Sequence, residues 1–213
     1  MKIEEITIDS KEYPEKLKNI YDPPRKIYLI GNKSLLYQKG IAIVGARDAT
    51  QYGKKIAYNL AKELSEQNIV IISGLALGID SYAHTGTVQG RTIAVLGSGI
   101  DNIYPKENIG LAREIIKNKG CIISEYSLGT KPERLHFPQR NRIISGLSDG
   151  VVVVEASKKS GALITADFAL EQGKEVFAIP GDICKKQSEG TNQLIQDGAI
   201  LVTSSKNILE NIY

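Results

Sequence analysis

A chain of 213 residues with 42% hydrophobic and 24% charged residues fits one sizeable globular domain. No apolar stretch approaches the roughly 20 residues of a membrane span, and Met1-Lys2-Ile3-Glu4-Glu5 has no signal-peptide core, so a cytoplasmic protein is expected. A net charge of +3 does not by itself identify a polyanion binder, and isolated Cys121 and Cys184 read as buried thiols with no zinc site.

Residues 1–26 form a polar lead-in, in which Asp22-Pro23-Pro24 stops any helix begun near Tyr13. A short edge strand is predicted at 26–30. From Ile41 a regular alternation begins. Short apolar runs predict strands at 41–46, 69–73, 92–97, 121–125, 150–155, 175–179 and 199–203. Between and after them, helices are predicted near 52–67, 79–88, 107–118, 138–147, 161–172, 191–197 and 205–212. The runs are continuously apolar and do not alternate, as in a parallel sheet covered on both faces. The expected fold class is α/β: an extended Rossmann-like, doubly wound, mostly parallel sheet with helices on both faces. The expected division is a lead-in over 1–26 and one domain over 27–213.

Five of the strands end in glycine-bearing turns, and in such a sheet those turns share one edge, where ligands bind. Glycine lets a backbone approach a phosphate, and helix N-termini aim N–H groups at it. Gly45-Ala46-Arg47 is not G-x-G-x-x-G, and no acidic residue follows at the next strand end, which argues against a dinucleotide site. Arg47 could grip a phosphate bidentately or bond nearby loop carbonyls. Ser73-Gly74 and Gly97-Ser98-Gly99 are two further candidate phosphate turns. Phe137-Pro138-Gln139-Arg140-Asn141-Arg142 places two arginines and an asparagine at a predicted helix start. Phe137 suits stacking on an unpaired base, or stapling of that helix. Ser160, Gly161 and Thr165 form another helix start, with Lys158 beside it. The pairs Lys158-Lys159 and Lys185-Lys186, with Lys131, Arg134 and His136, concentrate positive charge on the same edge. Asp80 and His84, four residues apart, read as a structural hydrogen-bonded pair or an acid/base couple. Glu155 reads as a structural carboxylate tying down its loop or Arg142, and a catalytic role is the alternative. No nucleophile elbow, Walker lysine or metal-ligand spacing is present.

Taken in order, these motifs resemble the DprA/Smf family of DNA-processing proteins over about residues 13–205. They are Val44-Gly45-Ala46-Arg47, Ser73 to Asp80, Ala83-His84, Gly97-Ser98-Gly99, Tyr104-Pro105, Ser124-Glu125, Phe137-Pro138-x-Arg140-Asn141-Arg142, Glu155, Ser160-Gly161, Thr165-Ala166 and Pro180-Gly181. The resemblance implies single-stranded DNA binding without catalysis or cofactor, a homodimer, and loading of a RecA-type recombinase in natural transformation. Many such proteins carry an N-terminal helical domain and a C-terminal winged helix, and neither is expected here. The alternative is a nucleotide sensor or a nucleoside-monophosphate phosphoribohydrolase-like enzyme. That class typically uses a Pro-Gly-Gly-x-Gly-Thr loop, whereas this chain has Ser160-Gly161-Ala162-Leu163-Ile164-Thr165.

Overall fold

The computed structural model describes residues 2–87 and 90–212. Val88, the last residue of the second predicted helix, lies outside that set. Among the described residues, the strands are β1 (Glu4–Thr7), β2 (Lys26–Gly31), β3 (Gly40–Val44), β4 (Val70–Ser73), β5 (Thr92–Leu96), β6 (Cys121–Ser124), β7 (Gly150–Val153), β8 (Glu175–Ala178) and β9 (Ile200–Leu201). The helices are α1 (Glu15–Lys18), α2 (Gln51–Glu66), α3 (Ile79–Gly86), α4 (Ile109–Lys117), α5 (His136–Leu147), α6 (Gly161–Glu171), α7 (Glu189–Gln196) and α8 (Ser205–Leu209). All nine strands form one sheet in the order β1-β2-β6-β5-β4-β3-β7-β8-β9. The first two pairings are antiparallel and the rest parallel.

Pleating explains the uninterrupted apolar runs. Ala42, Val44, Val151 and Val153 turn to one face, where they join Ile143, Ile144 and Leu147 of α5 and Ala162, Ala166 and Ala169 of α6. Ile41, Ile43, Val152 and Val154 turn to the other, against Ala57, Leu60, Ala61 and Leu64 of α2 and Ile79 and Ala83 of α3. Ala94, Leu96 and Ile122 meet Ala112 and Ile115 of α4. Each fully buried isoleucine or leucine contributes about 1.5–3 kcal/mol, so both faces must be covered.

Three expectations are corrected. The strand over 26–30 is not an edge: β1 pairs along it, Glu4 opposite Leu29 and Thr7 opposite Lys26. The polar lead-in hides a sparse apolar set, Ile6, Tyr13, Leu17 and Ile20, all buried in the cluster that holds α5. Tyr13 Oη donates to the Pro24 carbonyl (2.6 Å), and Lys16 reaches Asp149 (2.6 Å), which also accepts from the Gly40 amide. Cys121 is buried as expected, but Cys184 is exposed on the loop after β8.

The chain leaves β3 through α2 toward β4 on one side, and leaves β7 through α6 toward β8 on the other. The crevice between the ends of β3 and β7 is therefore the topological switch point of the sheet.

Candidate nucleic-acid interface

A cleft of about 680 Å³ opens at that switch point. It gathers residues distant in sequence: Gly45 and Arg47 after β3, Tyr104 after β5, and Phe137, Arg140 and Asn141 of α5. Ser160, Gly161 and Thr165 come from the start of α6, and Lys186 and Gln187 from beyond β8. Its aromatic element is Phe137, half-buried, with its ring centroid 5.5 Å from that of Tyr104 at an interplanar angle of 44°. The exposed Arg47 guanidinium lies over the Phe137 ring, 5.6 Å from its centre. Arg134 and Lys186 are also exposed at the rim, against Asp48. An aromatic face under an arginine, inside a cationic rim, can hold a flat ring and its attached anion.

Local packing dictates several of these positions. A Cβ on Gly45 would stand 2.6 Å from Ile79 Cγ1 and 2.9 Å from the Glu155 carbonyl, so only glycine lets β3 turn there. The Ala46 amide donates to that carbonyl (2.7 Å), joining the two halves of the switch point. Ser160 Oγ caps α6 by accepting from the Ala162 amide (3.3 Å). Gly161, the first residue of that helix, has open space around it, and the buried Thr165 follows one turn later. Asn141 Nδ2 donates to the Gly161 carbonyl (3.2 Å), clamping α5 to α6.

Other sequence candidates turn away from the cleft. Ser73 is fully buried and its hydroxyl donates to the Ile43 carbonyl (2.6 Å). Gly74 lies under Arg140, whose guanidinium nitrogens would sit within 2.6 Å of a Cβ there. Gly97 backs onto the Phe137 ring, Ser98 Oγ donates to the Asn102 carbonyl (2.7 Å), and Gly99 is closed in by the Ser127 carbonyl. These turns support the cleft and do not line it. Lys158 is exposed on the loop before Ser160 but stands outside the cleft lining.

The two arginines of α5 behave unlike the sequence expectation. The helix begins at His136, so both lie in its second turn and not at its N-terminus. Arg140 is 4% exposed, and its guanidinium donates to the carbonyls of Gly74 (2.8 Å) and Val95. Arg142 forms a two-point ion pair with Glu125 (2.7 Å for each N–O contact) and donates to the Asp22 carbonyl (2.9 Å). Both guanidiniums are held by protein groups. The fork geometry suits these fixed acceptors as well as it suits phosphate.

Asp80 and His84 do not bond to each other. Asp80 Oδ2 accepts from the Gly74 (3.0 Å) and Ala76 (3.4 Å) amides, shaping the loop before α3. Burial raises the Asp80 pKa, with Arg140 opposing, and burial lowers that of Arg140 to about 10, with Asp80 opposing. Thr92 Oγ1 gives its proton to the Ile71 carbonyl (2.8 Å), so it accepts from His84 Nδ1 (2.7 Å). The neutral Nδ1–H tautomer follows, and burial, reinforced by Arg140, lowers the His84 pKa to about 3. Glu155 ties its own site to α2 and not to Arg142: its carboxylate accepts from the Thr50 amide (2.9 Å) and hydroxyl (2.5 Å).

The sequence does not single out Tyr104 as a ring partner of Phe137 or Gln187 as part of the site, and marks Arg134 and Lys186 only as part of the basic clustering on that edge. The Tyr104-Pro105 motif and the basic clustering were the available signals.

The model of the family described as DNA recombination-mediator protein A matches residues 4–213. The chain belongs to that family. A relative within it, the DNA processing protein DprA of Bacillus subtilis, is 47% identical over 213 residues, spanning 99% of this chain and 71% of its own. The chain spans 56% of another, the Escherichia coli protein Smf. Two solved structures of the family superpose closely. DNA processing protein A of Streptococcus pneumoniae gives a TM-score of 0.92 at 43% identity, covering 98% of this chain and 74% of that one. That of Helicobacter pylori, described for its unique single-stranded DNA binding mode, gives 0.88 at 34% identity, covering 97% and 94%.

Proposed function

We propose that this chain binds single-stranded DNA in the cleft at the switch point, with no chemistry of its own. The observation that carries the reading is the Phe137 ring, flanked by the tilted Tyr104 ring and crowned by Arg47, in a cationic crevice. A base stacks on Phe137, Arg47 meets the adjoining phosphate, and the start of α6 at Ser160 and Gly161 receives the next. Lys158, Lys186 and Arg134 add long-range attraction. Arg140, Arg142, Ser73 and the Gly97–Gly99 turn act by holding the cleft in shape. The likeness to the Helicobacter pylori protein supports the ligand class.

The absence of catalysis is part of the same reading. Asp80 and Glu155 are buried and bonded to backbone amides, and His84 is buried away from the cleft lining. A cytoplasmic homodimer that loads a RecA-type recombinase is the wider role, supported by the chain's family.

The test compares single-stranded and duplex oligonucleotides at matched salt, with Phe137→Ala as the variant. Single strands should bind far more tightly, and Phe137→Ala should weaken them about tenfold, since stacking contributes about 1–3 kcal/mol per base. Equal affinity for both forms overturns the role given to Phe137. Base release from a nucleoside monophosphate, abolished by Glu155→Gln in a folded protein, moves the chain into the enzyme class.

A further inference from the structure

A second cleft, of about 800 Å³, lies on the far side of the loop that carries Arg47, between the start of α2 and the loop after β8. Tyr52, Pro180, Lys185 and Gln187 are among its walls. Tyr52 is half exposed, and its hydroxyl donates to the Pro180 carbonyl (3.2 Å), which holds the ring across the cleft. Gln187 belongs to both clefts and forms the ridge between them, its carbonyl accepting from the Ala156 amide (2.7 Å) at the end of β7. The consecutive lysines straddle this ridge: Lys186 lines the first cleft and Lys185 the second.

We infer that a single nucleic-acid strand runs from the first cleft over the Gln187 ridge into the second, where a further base stacks on Tyr52. This rests on the reading of the first cleft as a single-strand site. The second cleft carries two carboxylates, Glu155 and Asp182, each engaged by backbone amides at Thr50 and Cys184. Against one lysine, that balance favours an uncharged base over a phosphate inside. The phosphates follow the rim along Lys186 and Lys185. Tyr52 and Phe137 then form two stacking stations on one path, which makes the footprint longer than the first cleft alone.

The experiment measures affinity against oligothymidylate length, from about 4 to about 16 nucleotides, the span over which such grooves saturate. Four folded variants are compared with the unmodified chain. Phe137→Ala should weaken every length. Tyr52→Ala should leave the shortest oligonucleotides unchanged and weaken the longer ones about tenfold, whereas Tyr52→Phe, which keeps the ring and loses only its bond to Pro180, should retain most of that affinity. Lys185→Ala, an exposed change with little bearing on folding, should reduce the log K versus log salt slope by roughly 0.7 for long oligonucleotides only. The extension is overturned if Tyr52→Ala and Lys185→Ala leave long oligonucleotides unaffected while Phe137→Ala weakens all. It is equally overturned if Tyr52→Ala removes binding of free thymidine monophosphate with no dependence on length, which assigns the cleft to a mononucleotide. Loss of all single-strand binding in the unmodified chain overturns the function of the first cleft as well, a result distinct from either.

Discussion

Arg47 and Arg140 carry the same charge and both line the cleft, yet their surroundings separate their roles. Arg47 is exposed and its ring contact leaves its donors facing solvent or a ligand. Arg140 is buried, shares the loop at Gly74 with Asp80, and bonds two main-chain carbonyls. Arg47→Ala should therefore weaken single-stranded DNA binding and lower the salt slope by roughly 0.7, with little change in unfolding. Arg140→Ala leaves two buried carbonyls without their donor and removes the positive charge that opposes the burial of Asp80, and should cost about 1–3 kcal/mol in stability for each group left unsatisfied. Denaturant unfolding of both variants checks the contrast. An Arg140→Ala protein as stable as the unmodified chain contradicts the structural role.

At the scale of elements, α3 and β5 are joined through His84, which is neutral because burial opposes its charge. Its pKa falls from an ordinary 6.5 to about 3. The unfolded chain thus takes up a proton at pH values where the folded chain does not. His84 favours the folded state fully above about pH 6.5, and that contribution drains away as pH falls toward about 3, at no more than about 1.4 kcal/mol per pH unit. Stability should therefore decline between pH 7 and pH 5, above the ordinary carboxylate range. His84→Gln should flatten that decline, and an undiminished slope in the variant places its origin elsewhere. Helix α5 also departs from its sequence pattern. Proline in its first turn suggested a helix beginning at Pro138, but the helix starts two residues earlier, at His136. That shift moves Arg140 and Arg142 from the anion-binding end into the second turn, where they face the core and Glu125.

Across the whole molecule, the lead-in is part of the same sheet and the same core. Leu17 is fully buried, and Leu17 and Ile20 both approach Gly146 of α5. Leu17→Ala should destabilise the entire protein by about 2–5 kcal/mol in a single transition, although its helix is only four residues long. A separate, early transition would show the lead-in to be an independent unit. The core strands, the helices between them and the convergence of their loops were legible in the sequence, because burial on both faces demands unbroken apolar runs and turns demand glycine. Phe137, Arg47 and the start of α6 could likewise be picked out as candidates on one sheet edge. What the sequence could not settle was pairing and orientation. The antiparallel pairing of β1 with β2 brings a strand with one buried apolar residue, Ile6, against an apolar run, a match the polar lead-in does not announce. The division of arginines into exposed Arg47, buried Arg140 and paired Arg142 depends on acceptors 17 to 120 positions away. A guanidinium has the same local signature wherever it stands, and only the tertiary structure decides whether carbonyls, a carboxylate or open space surrounds it.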